Sequence, residues 1–282
     1  MIYISTGGFK NMTPTESIKY FNKNGINNIE LSGGKYEEKI YEKLKKNKSN
    51  NFSIHNYFPT PKKAFVINIA SLDNAINQKS MNQLKRGINL AHKLNLKYFS
   101  FHAGFYLDPK PKNLGKRINN QKIFSKKKSD IKFYSNLRKL INYSKERGVK
   151  IFIENNVITK KNLDYFKTNP LMHCTFGDFV KIRKKFSKED LGFLLDIGHL
   201  KVSSKTLKKN FYEELKKAVK ISDALHLSDN DGISDLNHPL KTNSKIWSIL
   251  KKKYCFVTLE IYKKNPLLLK RQLKLVNEKI SQ

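Results

Sequence analysis

The stretch GFLLDIGH, residues 192–199, is a short apolar run that ends in a carboxylate, Asp196. Three other stretches are similar: KIFIE ends in Glu154, FVTLE ends in Glu260, and ALHL carries His226 near its end. Successive runs are about 30 to 40 residues apart, the length of one strand with its helix. Parallel strands in a closed barrel bring their C-terminal ends to one mouth. The spacing therefore predicts a (β/α)8 barrel in which four metal-capable side chains converge.

Eight apolar runs alternate with helical segments along the chain, and we predict that each run is a strand. The predicted strands cover residues 2–5, 28–31, 52–56, 98–102, 150–154, 192–196, 224–227 and 256–260. Strands that alternate with helices of about 10 to 15 residues favour a parallel sheet, and eight of them favour closure into a TIM barrel. An open, doubly wound α/β sheet is the alternative, but the chain has neither a GxGxxG fingerprint nor a P-loop.

The first predicted helix has the clearest boundaries. Thr13 is its expected N-cap, Pro14 its first residue and Glu16 the partner in a capping box, and Gly25 is expected to end it. The other predicted helices cover approximately residues 36–46, 78–94, 131–147, 176–186, 210–221, 244–252 and 266–279.

The overall composition is that of one large globular domain. The chain has 282 residues, of which 39% are hydrophobic, so we expect a single barrel domain over residues 1–282. No apolar run is long enough to span a membrane, and the N-terminus lacks a signal-peptide pattern. We therefore expect a cytoplasmic protein without a membrane partner. The two cysteines, Cys174 and Cys255, lack CxxC spacing and indicate neither a disulfide framework nor a zinc knuckle. The oligomeric state stays open, and a homo-oligomer is compatible with the sequence.

The positive charge of the chain is large. Lysine and arginine number 56 against 23 acidic residues, a formal net charge of +33, which is the electrostatic footprint of a nucleic-acid binder. Six of the basic residues are arginines, although phosphate recognition favours the bidentate guanidinium. The lysines are spread over the chain together with many asparagines and isoleucines. We interpret the charge as compositional and expect no specific nucleic-acid partner. A selected polyanion site, centred on the densest basic run at residues 110–132, is the alternative.

Five of the seven histidines lie at or just after predicted strand ends. These five are His55, His102, His199, His226 and His238. One histidine at a strand end is commonly a hydrogen-bonded core residue. Five at the same end of a barrel indicate a functional site, because each carries a group that titrates near neutral pH and needs partners.

These motifs resemble the xylose isomerase-like barrel superfamily, which contains sugar and sugar-phosphate isomerases and epimerases together with endonuclease IV. The resemblance covers residues 2–261 and rests on IENN, LLDIGH, LHLSD and LEIY. It implies a site for one divalent ion, usually Mn or Mg, with Co or Zn in some members, formed by Glu154, Asp196, His226 and Glu260. It also implies that the two glutamates act as acid and base, and that His199 holds a substrate oxygen.

The endonuclease IV group resembles the chain in a different way, through additional ligands for three zinc ions. That group has histidines at the positions of His55, His102 and His199, and an Asp-x-His pair after strand seven. Here the corresponding loop, from Asp235 to His238, is one residue longer, and the glycine-rich continuation expected after Glu154 is replaced by Asn-Asn-Val-Ile. These differences favour the isomerase and epimerase members.

We interpret the chain as a divalent-metal-dependent isomerase or epimerase of a carbohydrate, phosphorylated or not. The ion would stabilise the enediolate that forms when a proton is removed alpha to a carbonyl. Glu154 and Glu260 would take and return that proton. The side chains predicted to contact the substrate are His55, His102, His199, Glu30, Asp229 and His238. The alternatives are an endonuclease IV-like abasic-site nuclease or phosphoesterase, a barrel that binds a sugar or polyanion without turnover, and lyase or dehydratase chemistry at the same site.

Overall fold

Eight parallel strands form a closed barrel in the described part of the chain, which comprises residues 1–119, 121–251 and 253–280 of a computed structural model. The strands are β1 (Ile2–Ser5), β2 (Asn28–Leu31), β3 (Asn51–His55), β4 (Tyr98–His102), β5 (Lys150–Glu154), β6 (Gly192–Asp196), β7 (Ala224–Leu227) and β8 (Val257–Leu259). They pair in chain order, and β8 closes the ring against β1. The predicted (β/α)8 barrel is confirmed.

Helices connect the strands on the outside of the barrel. Within the described residues they are α1 (Pro14–Lys23), α2 (Ile40–Lys46), α3 (Asn74–Lys93), α4 (Lys126–Lys145), α5 (Lys160–Phe166), α6 (Phe176–Arg183), α7 (Ile197–Thr206), α8 (Phe211–Ile221) and α9 (Pro266–Ile280). The predicted capping box is present at α1, where the Glu16 amide donates to Thr13 Oγ1 and the Thr13 amide donates to Glu16 Oε2. Gly25 follows that helix with a φ of +67°.

Three helical segments differ from the prediction in their presence or type, and α2, α3 and α4 begin four or five residues away from their predicted starts. Neither α5 nor α7 was predicted, because both are short and lack a long apolar stripe. The helix predicted over residues 244–252 is a 3₁₀ turn, Lys245–Ser248. The Tyr254 hydroxyl accepts a hydrogen bond from the Lys251 amide just beyond this turn, and Lys252 lies outside the described residues.

Apolar side chains close the end of the barrel where the strands begin. We call this group the barrel floor; it consists of Tyr3, Tyr98, Phe152, Leu194, Ala224 and Phe256. The Phe152 ring lies 5.2 Å from that of Tyr98 and 5.1 Å from that of Phe256, centroid to centroid. Gly192 makes room for it, since a Cβ there would lie 2.4 Å from the Phe152 ring. The floor is therefore a packed layer.

A second apolar cluster is formed by the connections that follow the C-terminal ends of the strands. Its buried members are Val66, Phe105, Leu107, Ile118, Ile158, Leu171 and Cys174. Phe105 forms a β-bridge with Leu171, and the Ile118 amide donates to Asn162 Oδ1 over 2.9 Å. These contacts fold the lysine-rich connection between β4 and α4 onto the body of the protein. Among the described residues, no helix has the length and apolarity that a membrane crossing requires.

Candidate metal centre

The four side chains of the predicted ligand set lie at the C-terminal ends of neighbouring strands. Glu154 ends β5, Asp196 ends β6, His226 lies in β7, and Glu260 follows β8 directly. All four are buried. His226 Nδ1 lies 3.6 Å from Glu154 Oε1 and 3.5 Å from Glu260 Oε1. Asp196 adjoins this group through His199, whose Nδ1 is 3.3 Å from Glu154 Oε1 and 3.9 Å from Asp196 Oδ1.

Several polar atoms in this group are buried without a partner. Both oxygens of Glu154, Oδ2 of Asp196 and Nδ1 of His226 have no hydrogen bond to any described residue. Such atoms are rare in folded proteins, because leaving a buried polar atom unpaired is costly. Carboxylate oxygens and imidazole nitrogens are the donors that divalent ions prefer. The donor set therefore fits a divalent ion.

Three overlapping trios of side chains have ligand atoms within 4.8 Å of one another. The trios are His55, Glu154 and His226; His102, Glu154 and His199; and Glu30, His226 and Glu260. Glu154 and His226 each belong to two of them. These two residues are thus the centre of the cluster, and the remaining side chains surround them.

Two histidines predicted to bind substrate contact Glu154 directly. His55 Nε2 and His102 Nδ1 lie 3.3 Å and 3.5 Å from Glu154 Oε2. His55 is buried, and its Nδ1 lies 2.9 Å from the Ser100 hydroxyl. The His102 side chain is partly exposed. His102 therefore faces the open side of the site, while His55 lies deeper.

Asp196 and His199 are held together by the first turn of α7. Asp196 Oδ1 accepts a 2.6 Å hydrogen bond from the His199 amide and so caps the helix. Asn155 ties β5 to this turn: its Nδ2 donates to the Asp196 carbonyl, and its own carbonyl lies 2.9 Å from His199 Nδ1. The other nitrogen, His199 Nε2, is 3.2 Å from Asp235 Oδ2. Both ring nitrogens of His199 therefore face acceptor oxygens.

The two glutamates of the set differ in their electrostatic surroundings. Burial raises the pKa of Glu154, but the neighbouring imidazoles, His102 first, outweigh burial and hold the pKa below its usual value. Burial raises the pKa of Glu260 well above its usual value, and the opposing effect of His226 is too small to reverse it. Burial also raises the pKa of Asp196 to about 6. Without a cation, the site thus crowds together more carboxylates than can all be ionised easily.

The histidines of the site also fall into two classes. Burial lowers the pKa of His55 to about 3 and lowers that of His102, so both rings are neutral near pH 7. Burial acts in the same direction on His226, but the surrounding carboxylates, Glu30 first, raise its pKa well above the usual value. The pKa of His199 is raised in the same way, by Asp196 first.

Glu30 is fully buried inside the barrel, at a position predicted to contact substrate. Its Oε2 lies 3.0 Å from His226 Nε2 and accepts a 2.9 Å hydrogen bond from the Thr258 hydroxyl. Its pKa is lowered, because His226 and other donors outweigh the effect of burial. Its Oε2 is therefore bound to protein groups, and its substrate contact stays a prediction.

Among the described residues, none of the three trios includes Asp196, Asp229 or His238. Asp196 adjoins the trios through His199, whereas Asp229 and His238 lie outside the cluster. Their backbones pair with each other, and the Asp229 carboxylate accepts a hydrogen bond from Lys201 Nζ. His238 is exposed. Their predicted contacts with a substrate stay predictions.

Tyr262 was missed by sequence reasoning. Its ring packs against two glycines that follow β1: a Cβ on Gly7 would lie 2.4 Å from Tyr262 Oη, and one on Gly8 would lie 2.9 Å from Tyr262 Cα. Burial and the charge of Glu260 raise the pKa of Tyr262 well above its usual value, so the phenol remains a hydrogen-bond donor. The sequence signals for this contact were the pair Gly7-Gly8 and the motif LEIY, which contains Tyr262. They could not be linked from the sequence, because they meet only when β8 pairs with β1 to close the barrel.

A family model described as xylose isomerase-like TIM barrel matches residues 18–270. The chain belongs to this family. The resemblance stated from the sequence motifs is thereby confirmed. No curated protein sequence matches the chain.

Solved structures with the same fold include several sugar epimerases. A D-tagatose 3-epimerase-like protein is 18% identical and superposes over 99% of both chains with a TM-score of 0.69. D-psicose 3-epimerase from Clostridium cellulolyticum, solved with D-tagatose, is 12% identical over 100% of this chain and 99% of its own, with a TM-score of 0.66. A Thermus thermophilus protein soaked with zinc chloride is 16% identical over 98% of both chains, with a TM-score of 0.64. At these identities the likeness shows the fold alone.

Proposed function

We propose that this protein is a divalent-metal-dependent isomerase or epimerase of a carbohydrate. The observation that carries the proposal is the position of His226 Nδ1, 3.6 Å and 3.5 Å from oxygens of Glu154 and Glu260. Two carboxylates and one imidazole thus share a buried space at the mouth of the barrel, and several of their atoms lack partners among the described residues. Membership in the xylose isomerase-like family and the sugar epimerases among the structural neighbours support the same chemistry.

The residues that would hold the ion are Glu154, Asp196, His226 and Glu260. Mn, Mg or Co suit their three carboxylates, and the imidazole also suits Zn. When bound, such an ion would draw electron density from a substrate carbonyl and its neighbouring hydroxyl and stabilise the negative charge that develops during proton removal.

Proton transfer would be the task of the two glutamates. One carboxylate takes the proton from the carbon next to the carbonyl, and the other returns a proton from its own position. Return to the opposite face of the same carbon inverts it and gives epimerisation. Return to the neighbouring carbon, with transfer of the alpha hydroxyl proton to the former carbonyl oxygen, gives isomerisation. The Nδ1 atom of His199 faces the Asn155 carbonyl and Nε2 faces Asp235, so His199 would donate to a substrate oxygen through Nε2, with that oxygen in the place of the Asp235 carboxylate.

The test is solvent exchange into ketose sugars. Protein loaded with Mn²⁺ is incubated in deuterated water with D-tagatose, D-psicose or L-ribulose, the sugars named by the structural neighbours, and the products are followed by NMR. We expect conversion of a sugar and deuterium at the carbon next to its carbonyl. Protein stripped with EDTA is the control and should do neither. Sugar binding without conversion or exchange, in metal-loaded protein, would favour a non-catalytic barrel.

A second candidate is a metal phosphoesterase that acts on abasic DNA. It is favoured by the three histidines around Glu154, because His55, His102 and His199 supply ligand atoms for more than one ion. Elemental analysis of protein purified without chelator separates the candidates: about one ion per chain supports the first, and about three zinc ions support the second. His102→Ala should leave the metal content unchanged under the first candidate and reduce it under the second.

A further inference from the structure

We propose that Glu30 is a positioning residue that fixes the tautomer and the ring orientation of His226, so that Nδ1 is free to bind the ion. The inference rests on the metal site of the proposed function. It assigns Glu30 a role other than contact with substrate.

The contact between Glu30 and His226 crosses the inside of the barrel. Glu30 lies in β2 and His226 in β7, and two strands, β1 and β8, separate them in the sheet. The Oε2 to Nε2 distance is nevertheless 3.0 Å. Thr258, in the intervening strand β8, donates to the same oxygen over 2.9 Å. Glu30 of β2 therefore contacts the imidazole of β7 directly, and Thr258 of β8 holds the Glu30 carboxylate in place.

The two nitrogens of His226 have different surroundings. Nε2 faces Glu30, and an ionised carboxylate only accepts hydrogen bonds, so Nε2 must carry a proton in this contact. Nδ1 faces Glu154 and Glu260 and has no hydrogen bond to a described residue. When an ion replaces the Nδ1 proton, the proton on Nε2 remains, and the Nδ1 lone pair points between the two glutamates. This is the tautomer that an ion ligand requires.

Stability alone does not explain Glu30. The side chain is fully buried, and moving a carboxylate out of water is costly even when it is paired. An apolar residue of similar size inside a barrel would avoid that cost. A carboxylate at this position has a clear use if it orients a ligand, because an imidazole with two equivalent tautomers presents a free Nδ1 lone pair only part of the time.

The first measurement is the affinity for Mn²⁺ in the absence of any sugar, from the EPR signal of the free ion. Glu30→Gln keeps the size of the side chain, but its amide can accept from or donate to Nε2, so the tautomer is no longer specified. We expect the Mn²⁺ dissociation constant to rise about 10- to 100-fold, the usual effect of losing a carboxylate that orients a metal-binding histidine.

Asp223→Asn is the matched control. Asp223 is also a buried carboxylate next to a barrel strand, but it binds the Phe193 amide near the beginning of the strands. Its replacement should change the Mn²⁺ dissociation constant by less than about twofold, because it orients no ligand. Equal affinity losses in the two variants, or an unchanged affinity in Glu30→Gln, would overturn the proposal.

The second measurement needs no variant at Glu30, so it holds even if Glu30→Gln does not fold. In wild-type protein labelled with ¹⁵N-histidine and loaded with Zn²⁺, long-range ¹H–¹⁵N correlations should show a proton on His226 Nε2 and none on Nδ1. The resonances are assigned by their loss in His226→Asn. A proton on Nδ1 overturns the inference. Failure to convert any sugar, with tautomer and Mn²⁺ affinity as expected, overturns only the proposed function, and failure of the wild type to bind Mn²⁺ overturns both.

Discussion

The two ends of the barrel interior are built from the same strands but differ in chemistry. On three strands a residue of the floor precedes a residue of the candidate metal centre by two positions, which places both side chains on the same face. The pairs are Phe152 and Glu154, Leu194 and Asp196, and Ala224 and His226. The floor is apolar and packed, whereas the mouth contains buried polar atoms without partners among the described residues. The floor stabilises the fold, whereas the unpaired buried polar groups of the mouth lower the stability of the protein.

The largest expected effect is on the floor. Phe152→Ala should lower the free energy of unfolding by about 3–5 kcal/mol, because it leaves a cavity where a fully buried ring packs on two other aromatic rings. Urea denaturation of the metal-free protein measures this loss, and Phe152→Leu should lose less. The Mn²⁺ dissociation constant of the folded variant should stay near that of the wild type. A large fall in Mn²⁺ affinity would show that floor and mouth are not independent.

The second largest effect is expected on turnover, when the glutamates at the mouth are changed. Glu154→Gln and Glu260→Gln should each lower kcat by about 10² or more, because the amide keeps an oxygen ligand but cannot exchange a proton. Some Mn²⁺ binding should survive. The metal-free Glu260→Gln variant should be no less stable than the wild type, because burial raises the pKa of that carboxyl, whereas metal-free Glu154→Gln should lose stability near pH 7, because the imidazoles around Glu154 hold its pKa down. Glu213→Gln, at an exposed position on α8, is the control. Near wild-type kcat in both site variants would contradict the proton-transfer role.

A smaller effect is expected when the space for the Phe152 ring is reduced by a change on the neighbouring strand β6. Gly192→Ala places a Cβ 2.4 Å from the Phe152 ring, so the ring or the strand must shift. We expect a loss of about 1–3 kcal/mol in the free energy of unfolding. Adding Phe152→Leu should recover part of it, and a double-mutant cycle measures the coupling. Strict additivity would mean that the two residues do not compete for this space.

The smallest effect concerns a histidine outside both ends. His173 is buried against Phe133, and burial lowers its pKa to about 4. The unfolded chain therefore binds a proton on this residue at a higher pH than the folded protein does. The stability associated with the neutral ring is present above about pH 6.5 and is lost as the pH falls from about 6.5 to about 4, by at most about 1.4 kcal/mol per pH unit.

His173→Asn tests this dependence. Asparagine tolerates the left-handed backbone of this position, where φ is +55°, and it does not titrate. Between pH 7 and pH 5, the variant should lose less stability than the wild type, whatever its stability at pH 7. Urea denaturation at several pH values gives the two slopes. Equal slopes would mean that His173 is protonated in the folded protein over this range.

The strands could be predicted because each is a short apolar run, and six of the eight have the predicted bounds. The helix that begins after Asp196 could not, because its residues lack an apolar stripe and it depends on a cap donated by the preceding strand. The presence of acidic and histidine residues at the strand ends could also be predicted from the sequence. The contact from Glu30 to His226 and the packing of Tyr262 on Gly7 were not, because each joins residues far apart in sequence, and only closure of the barrel sets their distance.

The two carboxylate oxygens of Asp196 have different surroundings. Its Oδ1 caps α7 through the His199 amide, while its Oδ2 has no partner among the described residues. Asparagine caps helices as well as aspartate does, so the helix alone would tolerate either residue during evolution. Only a requirement for negative charge distinguishes the two. A homologue with asparagine here would keep the fold and lose the negative charge. This position would therefore separate relatives that bind an ion from relatives that do not.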